Sequence, residues 1–185
     1  MTQSPGTAGV DDVSLRLGTV DDVSAVLRLM DIATQWLVQQ GCDGQWGTGT
    51  HSDRPDRIKQ ATEFAESGGL WVAVTNDSQK AVIGAVCVGD AFPYVTPATE
   101  PELYIKLLLT DRSYKGRGLG ALLLEKARAL AREAGVAVMR VDCYRGPDER
   151  LVRYYESQGF QRVEAFMVKG EWPAQLLMQR LDVDE

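Results

Sequence analysis

Residues 102–144 constrain this chain more than any other part of it. "ELYIKLLLT" (102–110) reads as a strongly apolar strand, and "VAVMRVDCY" (136–144) as another. Between them lie "GRGLGA" (116–121), with glycines at 116, 118 and 120, and an amphipathic stretch that predicts a helix over about 118–135. Glycine inside a helix costs about 0.5–1 kcal/mol relative to alanine, so a cluster at a helix entrance needs a reason. In a β-α-β unit the unpaired N–H groups of the helix N-terminus face whatever sits above the strand end. With the helix dipole they form an anion site. Glycines there would let a phosphate reach the amides, and Lys115 and Arg117 add positive charge beside them. The competing reading is geometric, a tight turn with no ligand, but one glycine would serve for that.

Other elements follow from hydrophobic periodicity. "VSLRLGT" (13–19) alternates as a strand does, and Thr19 with Asp22 resembles a capping box opening a helix over about 20–40. Val23, Val26, Leu27, Met30, Ala33 and Leu37 have helical spacing. A glycine-rich loop, 41–53, carries Trp46 and the only histidine, His51, which as a lone loop residue is expected at the surface. A short helix is expected over 55–67, with Pro55 in its first turn, then strands at 70–75 and 81–92. On the helix at 118–135, Leu119, Leu122, Leu123, Ala127, Leu130, Ala131 and Ala134 share a face. Asp148 is placed to cap a helix containing Leu151, Tyr154 and Tyr155, and the end reads as an antiparallel strand pair. The order β-α-α-β-β-β-α-β-α-β-β implies a mixed α/β fold, α+β-like, a sheet with helices packed on it.

Composition narrows the partners. A chain of 185 residues suggests one domain, here 13–185, after a tail, residues 1–12, expected to be disordered. Net charge is −6 at pH 7, so the chain lacks the basic footprint of a nucleic-acid binder. No apolar run approaches the ~20 residues of a membrane helix, and the start "MTQSPGTAGVDDV" lacks the layout of a secretory signal. Cys42, Cys87 and Cys143 are odd in number and far apart, which fits neither a disulfide framework nor a zinc site. A reducing, cytoplasmic setting is the expectation, with no metal.

Two phosphate motifs compete for the glycines. No G-x-x-x-x-G-K-[ST] occurs. "GRGLGA" does satisfy G-x-G-x-x-[GA], and Asp142 lies about twenty residues on. Against a dinucleotide stand the long polar approach "TDRSYK" (110–115) and an antiparallel remainder that leaves no second mononucleotide half.

"KGRGLG" (115–120) resembles the acyl-CoA signature [QR]-x-x-G-x-[GA] of the GNAT superfamily of N-acetyltransferases, with Lys115 in the Gln/Arg slot. "YESQGF" (155–160) is similar to the family's second hallmark, Y-x-x-x-G-F, and the element order matches over about 13–182. The resemblance implies a GNAT-type fold: a mostly antiparallel central sheet, helices on both faces, and a parallel pair, 102–110 and 136–144, that splays. It implies acetyl-CoA, or another acyl-CoA, as co-substrate. The pyrophosphate would lie on Lys115, Gly116, Arg117, Gly118, Leu119, Gly120 and Ala121, and pantetheine beside Leu107 and Leu109. Where the family often has Asn before the last helix, this chain has Asp148.

The implied activity is acyl transfer to a primary amine of a small molecule by direct attack. The alternatives are a protein or peptide amine, or a silent acyl-CoA-binding module. Tyr155 matches the family tyrosine that protonates the leaving thiolate, although Tyr154 is adjacent and either could be a core aromatic. Glu102 and Asp142 are the candidate bases, with Tyr104 behind them, and Cys143 is a weaker candidate nucleophile. Trp36, Gln45, Trp46, Phe92, Tyr94 and Tyr104 could wall the acceptor. Monomer and homodimer both remain open.

Overall fold

The computed structural model describes residues 12–182, so the tail expected at 1–12 falls, but for residue 12, outside the described residues. Along the chain come β1 (Val13–Leu17), α1 (Val23–Gln39), α2 (Pro55–Glu66), β2 (Leu70–Thr75), β3 (Val82–Gly89) and β4 (Glu102–Thr110). Then follow α3 (Leu119–Glu133), β5 (Val138–Tyr144), α4 (Arg150–Ser157), β6 (Gln161–Val168) and β7 (Trp172–Arg180). This is the order that the sequence predicts.

The strands form one sheet, ordered β1-β2-β3-β4-β5-β7-β6. Neighbours run antiparallel except β4 and β5. Those two pair only over Glu102–Ile105 and Val138–Val141, although β4 continues to Thr110 and β5 to Tyr144. Beyond the last pair the facing edges are open. The register of β3 on β4 jumps at the same place, where Cys87 faces Leu107 and Val88 faces Ile105, so Lys106 is an extra residue. A bulge bends its strand and sharpens local twist, which is what turns β4 away from β5.

Helices cover both faces. Leu119, Leu123, Leu124, Ala127 and Ala131 of α3, with Val152 and Tyr155 of α4, bury against Ile105, Met139, Val141 and Cys143. On the opposite face Val26, Leu27, Leu29 and Met30 of α1 and Phe64 of α2 pack on Val72, Ala85, Leu107 and Leu109. Strand β3 is buried along nearly its whole length, as a strand covered on both sides must be.

Some local expectations shift. The segment expected as helix 20–40 opens with a 3-10 turn, Val20–Asp22, before α1 begins. The Thr19 amide donates to Asp22 Oδ2 at 2.9 Å, and Arg16 donates twice to the same carboxylate at 2.8 Å. That pair holds Asp22 below the usual carboxylate range. Strand β3 stops at Gly89 rather than 92. On α3 it is Leu124, not Ala134, that joins the buried face, because Ala134 lies past the last turn. The position capping α4 belongs to Glu149, in left-handed backbone, while Asp148 Oδ1 accepts from the Arg150 amide at 3.2 Å.

Candidate active site

Where β4 and β5 separate, a cleft of about 810 Å³ runs from the start of α3 to the loop after α1. Its donor-side wall includes Leu109, Lys115, Gly116, Gly118, Leu119, Gly120 and Ala121, and its other wall Tyr144, Asp148, Tyr154 and Tyr155. Trp36, Gln45 and Trp46 close it from the α1 side. Leu107, Arg117, Glu102, Asp142, Tyr94 and Tyr104 do not line it.

The glycines have separate physical causes. Gly116 and Gly118 sit at φ of 79° and 78°, left-handed backbone that costs an L-residue about 1–2 kcal/mol, and both are exposed. Nothing lies within 4 Å of the place a Cβ on Gly116 would occupy, so this part of the loop is an open cradle. Gly120 differs: a Cβ there would collide with the Tyr154 hydroxyl. Its missing side chain makes room for α4, not for a phosphate. Free amides at the N-terminus of α3 and two left-handed glycines fit a pyrophosphate-bearing ligand.

Tyr155 is buried, edge-on to Phe160 at 5.6 Å and to Tyr154 at 5.5 Å between centroids. Burial holds its phenol well above the ordinary tyrosine range, so it keeps its proton at neutral pH. Cys143 is buried beside it, and desolvation pushes that thiol up to about 12. A thiol held there is not a nucleophile at neutral pH.

The two candidate carboxylates differ sharply. Glu102 accepts from Arg140 Nε and, at 2.8 Å, from Nη2, while Arg140 Nη1 donates to the Thr96 carbonyl at 2.9 Å. Breaking a buried pair of this kind leaves an uncompensated charge, so Glu102 is committed to structure. Asp142 stands one residue past the last β4–β5 pair and accepts from the Tyr104 hydroxyl and, at 3.3 Å, from the Tyr94 hydroxyl. Burial raises its pKa, and the two tyrosine hydrogen bonds only partly oppose this. Tyr104 is fully buried, while Tyr94 is 46% exposed and stacks on Phe92 at 5.4 Å, so the cluster reaches the surface through Tyr94.

The loop after α1 is strapped across the cleft. Trp172 Nε1 donates to the Gln45 carbonyl at 3.0 Å, and a Cβ on Gly44 would meet the Tyr144 hydroxyl. Its far end is pinned by His51, which the structure buries rather than exposes. His51 Nε2 is 2.9 Å from Thr34 Oγ1, its ring meets Trp46 edge-on at 5.2 Å, and burial lowers its pKa. Trp36 faces the donor end, where Arg112 stacks on it at 3.8 Å. No local pattern marks Arg112, Arg150, Tyr144 or Trp172 for the site; their tie to it is tertiary. Among the described residues no group of three His, Cys, Asp or Glu could hold a metal, and no helix is long and apolar enough to cross a membrane.

Comparison with known proteins agrees with this fold. A family model described as "Acetyltransferase (GNAT) family" matches residues 39–160. A Drosophila melanogaster protein named "Probable glucosamine 6-phosphate N-acetyltransferase" is 28% identical over 115 residues, which is 60% of this chain and 50% of that protein. The chain thus spans about half the length of the curated relative it matches. A GNAT-family acetyltransferase from Listeria monocytogenes superposes with a TM-score of 0.66 at 22% identity, over 91% of this chain and 95% of that one. An acetyltransferase structure from Salmonella typhimurium with its cofactor acetyl-CoA gives 0.62 at 19% identity, over 92% and 95%.

Proposed function

The chain belongs to the acetyltransferase (GNAT) family, and from that premise we propose that it transfers the acetyl group of acetyl-CoA to a primary amine of a small molecule by direct attack. One coincidence carries the reading: the left-handed glycine loop opens on the gap between β4 and β5, and Tyr155 faces the same cleft. Acetyl-CoA supplies an activated acyl carbon and a thiolate leaving group.

The chain's own residues then have distinct tasks. The amides at the start of α3 hold the donor's pyrophosphate. Tyr155 Oη keeps a proton at neutral pH, available to the departing sulfur. Asp142 takes the proton that an alkylammonium must lose, through water, because it lies outside the cleft wall. Tyr94 and Tyr104 orient its carboxylate. Glu102 is not assigned a proton-transfer role, since Arg140 holds both its oxygens. The strap formed by Gly44 and Gln45 narrows the acceptor end, which favours a small amine over a folded protein surface.

A thiol-release assay with acetyl-CoA and a panel of amines tests this reading. The panel should hold amino sugars with and without phosphate, polyamines, aminoglycosides, amino acids and peptides. We expect free CoA with one class and not its neighbours. Binding of acetyl-CoA with no release from any amine would favour a silent module.

Asp142 gives a prediction with a definite sign. It must be ionised to act, so kcat should rise as pH climbs through its raised pKa. Asp142→Asn should lower kcat at least tenfold and flatten that limb. An unchanged limb would place the base elsewhere. Stability moves the opposite way, because the folded carboxyl binds its proton more tightly than the unfolded one. Stability should therefore fall as pH rises from the unfolded to the folded pKa, and the Asn variant should lose that slope.

A further inference from the structure

Trp36 gathers three cations from two walls of the cleft. Arg112 Cζ lies 3.8 Å from the centroid of its ring, Lys115 Nζ 5.6 Å and Arg150 Cζ 5.8 Å. Arg112 and Lys115 precede α3, Arg150 begins α4, and Trp36 stands near the end of α1; all four line the cleft. Among the described residues no carboxylate lies within ion-pair distance of Arg112 or Lys115, and Arg150 pairs only with Asp148, at 3.1 Å. The nearest acid before them, Asp111, faces Arg28 at 3.9 Å and accepts from Ser113.

Like charges brought together repel, and in this chain of net charge −6 only Asp148 and the Trp36 ring, among the described residues, offset that repulsion here. It shows in Arg112, whose guanidinium is destabilised by burial and by Arg150. Its Nε is buried with no hydrogen-bond partner. With its Cζ 3.8 Å from the indole centroid, Arg112 is held over the ring in the cleft wall, and a guanidinium can grip a phosphate with two parallel N–H donors. The α3 amides and the glycine loop suffice for a pyrophosphate, and the donor carries one more phosphate, a phosphomonoester on its ribose, which those amides leave unanswered.

We infer that Arg112, Lys115 and Arg150, held on the Trp36 indole, bind the ribose 3′-phosphate of the donor. This rests on the reading that the glycine loop holds the donor's pyrophosphate. The cluster makes the site selective for CoA over nucleotides and pantetheine thioesters that lack this phosphate.

Calorimetric titration of the full chain with CoA and with 3′-dephospho-CoA tests the assignment. The wild type should bind 3′-dephospho-CoA at least tenfold more weakly than CoA. In Arg112→Gln/Arg150→Gln the affinity for CoA should fall to that for 3′-dephospho-CoA, which itself should hardly change. Exposed Lys115→Gln should narrow the same gap if the double variant folds poorly. Equal affinity of the wild type for the two ligands overturns the proposal and leaves the glycine-loop reading intact. Equal donor affinities with a phosphorylated amine weakened in Lys115→Gln would assign the cluster to the acceptor, which also overturns it. Binding of neither ligand overturns both readings.

Discussion

Replacing Gly118 by glutamate should abolish acetyl-CoA binding, a loss of at least a hundredfold, while the fold survives. Gly118 precedes α3 in left-handed backbone, at φ 78°, and is exposed. A glutamate there puts a negative charge at the amides that a pyrophosphate would occupy. The left-handed backbone adds strain of about 1–2 kcal/mol, and for a chain of this size each kcal/mol lowers Tm by roughly 2–4 °C. Acid near a helix N-terminus is otherwise favourable and offsets part of that strain. Gly118→Ala separates the causes, since it carries the strain without the charge and should keep most of the affinity. Titration with acetyl-CoA and a melting curve on each variant suffice. Wild-type affinity in the glutamate variant would remove the phosphate from this loop.

The element order is legible in the sequence because each element carries its own period. Strand β4 is six apolar or aromatic residues in nine, α3 repeats Leu119, Leu123 and Ala127, and glycines or polar turns separate the rest. The β-α-β unit with its glycine loop is legible for the same reason: the demand for left-handed backbone at Gly116 and Gly118 is local. What stays hidden is what tertiary packing decides. Nothing local says that the third glycine, Gly120, answers to the Tyr154 hydroxyl more than thirty residues away. Glu102 and Asp142 look alike in sequence, yet Arg140 takes the first and two tyrosine hydroxyls take the second. Arg140 is itself on β5, facing Tyr104 in the parallel register, a neighbour that no window along the chain would reveal. His51 sits in a polar, glycine-rich stretch and is buried nonetheless, because Thr34 of α1 offers its ring a partner. Trp36 falls outside the periodic apolar set of the first helix and is expected from sequence only as an aromatic wall for the acceptor. Only the folded chain shows which groups share that wall, and they are cations.

The adjacent tyrosines of α4 supply the second large effect. Tyr155→Phe should lower kcat at least tenfold with acetyl-CoA affinity unchanged, and Tyr154→Phe should leave kcat within about twofold. Both residues line the cleft, so position alone does not separate them. Environment does. The Tyr154 hydroxyl is set against Gly120 at the start of α3, a packing contact between helices. Tyr155 is buried among Tyr154, Phe160 and Cys143, so it loses almost no packing when only its oxygen is removed. Its phenol is pushed higher than the ordinary range by desolvation first and by neighbouring ionisable groups second. An acid held protonated beside a leaving thiolate speeds departure by about 10²–10⁴-fold where it is fully used. A thiolate whose conjugate acid has a pKa near 8.5 leaves tolerably unaided, which sets the expectation at the lower end of that range. Single-turnover thiol release on the two phenylalanine variants, with donor titrations beside it, reads the difference directly. A drop confined to Tyr154→Phe would move the acid by one residue and make Tyr155 a packing residue. An undiminished rate in both would mean that the sulfur leaves as thiolate and takes its proton from water.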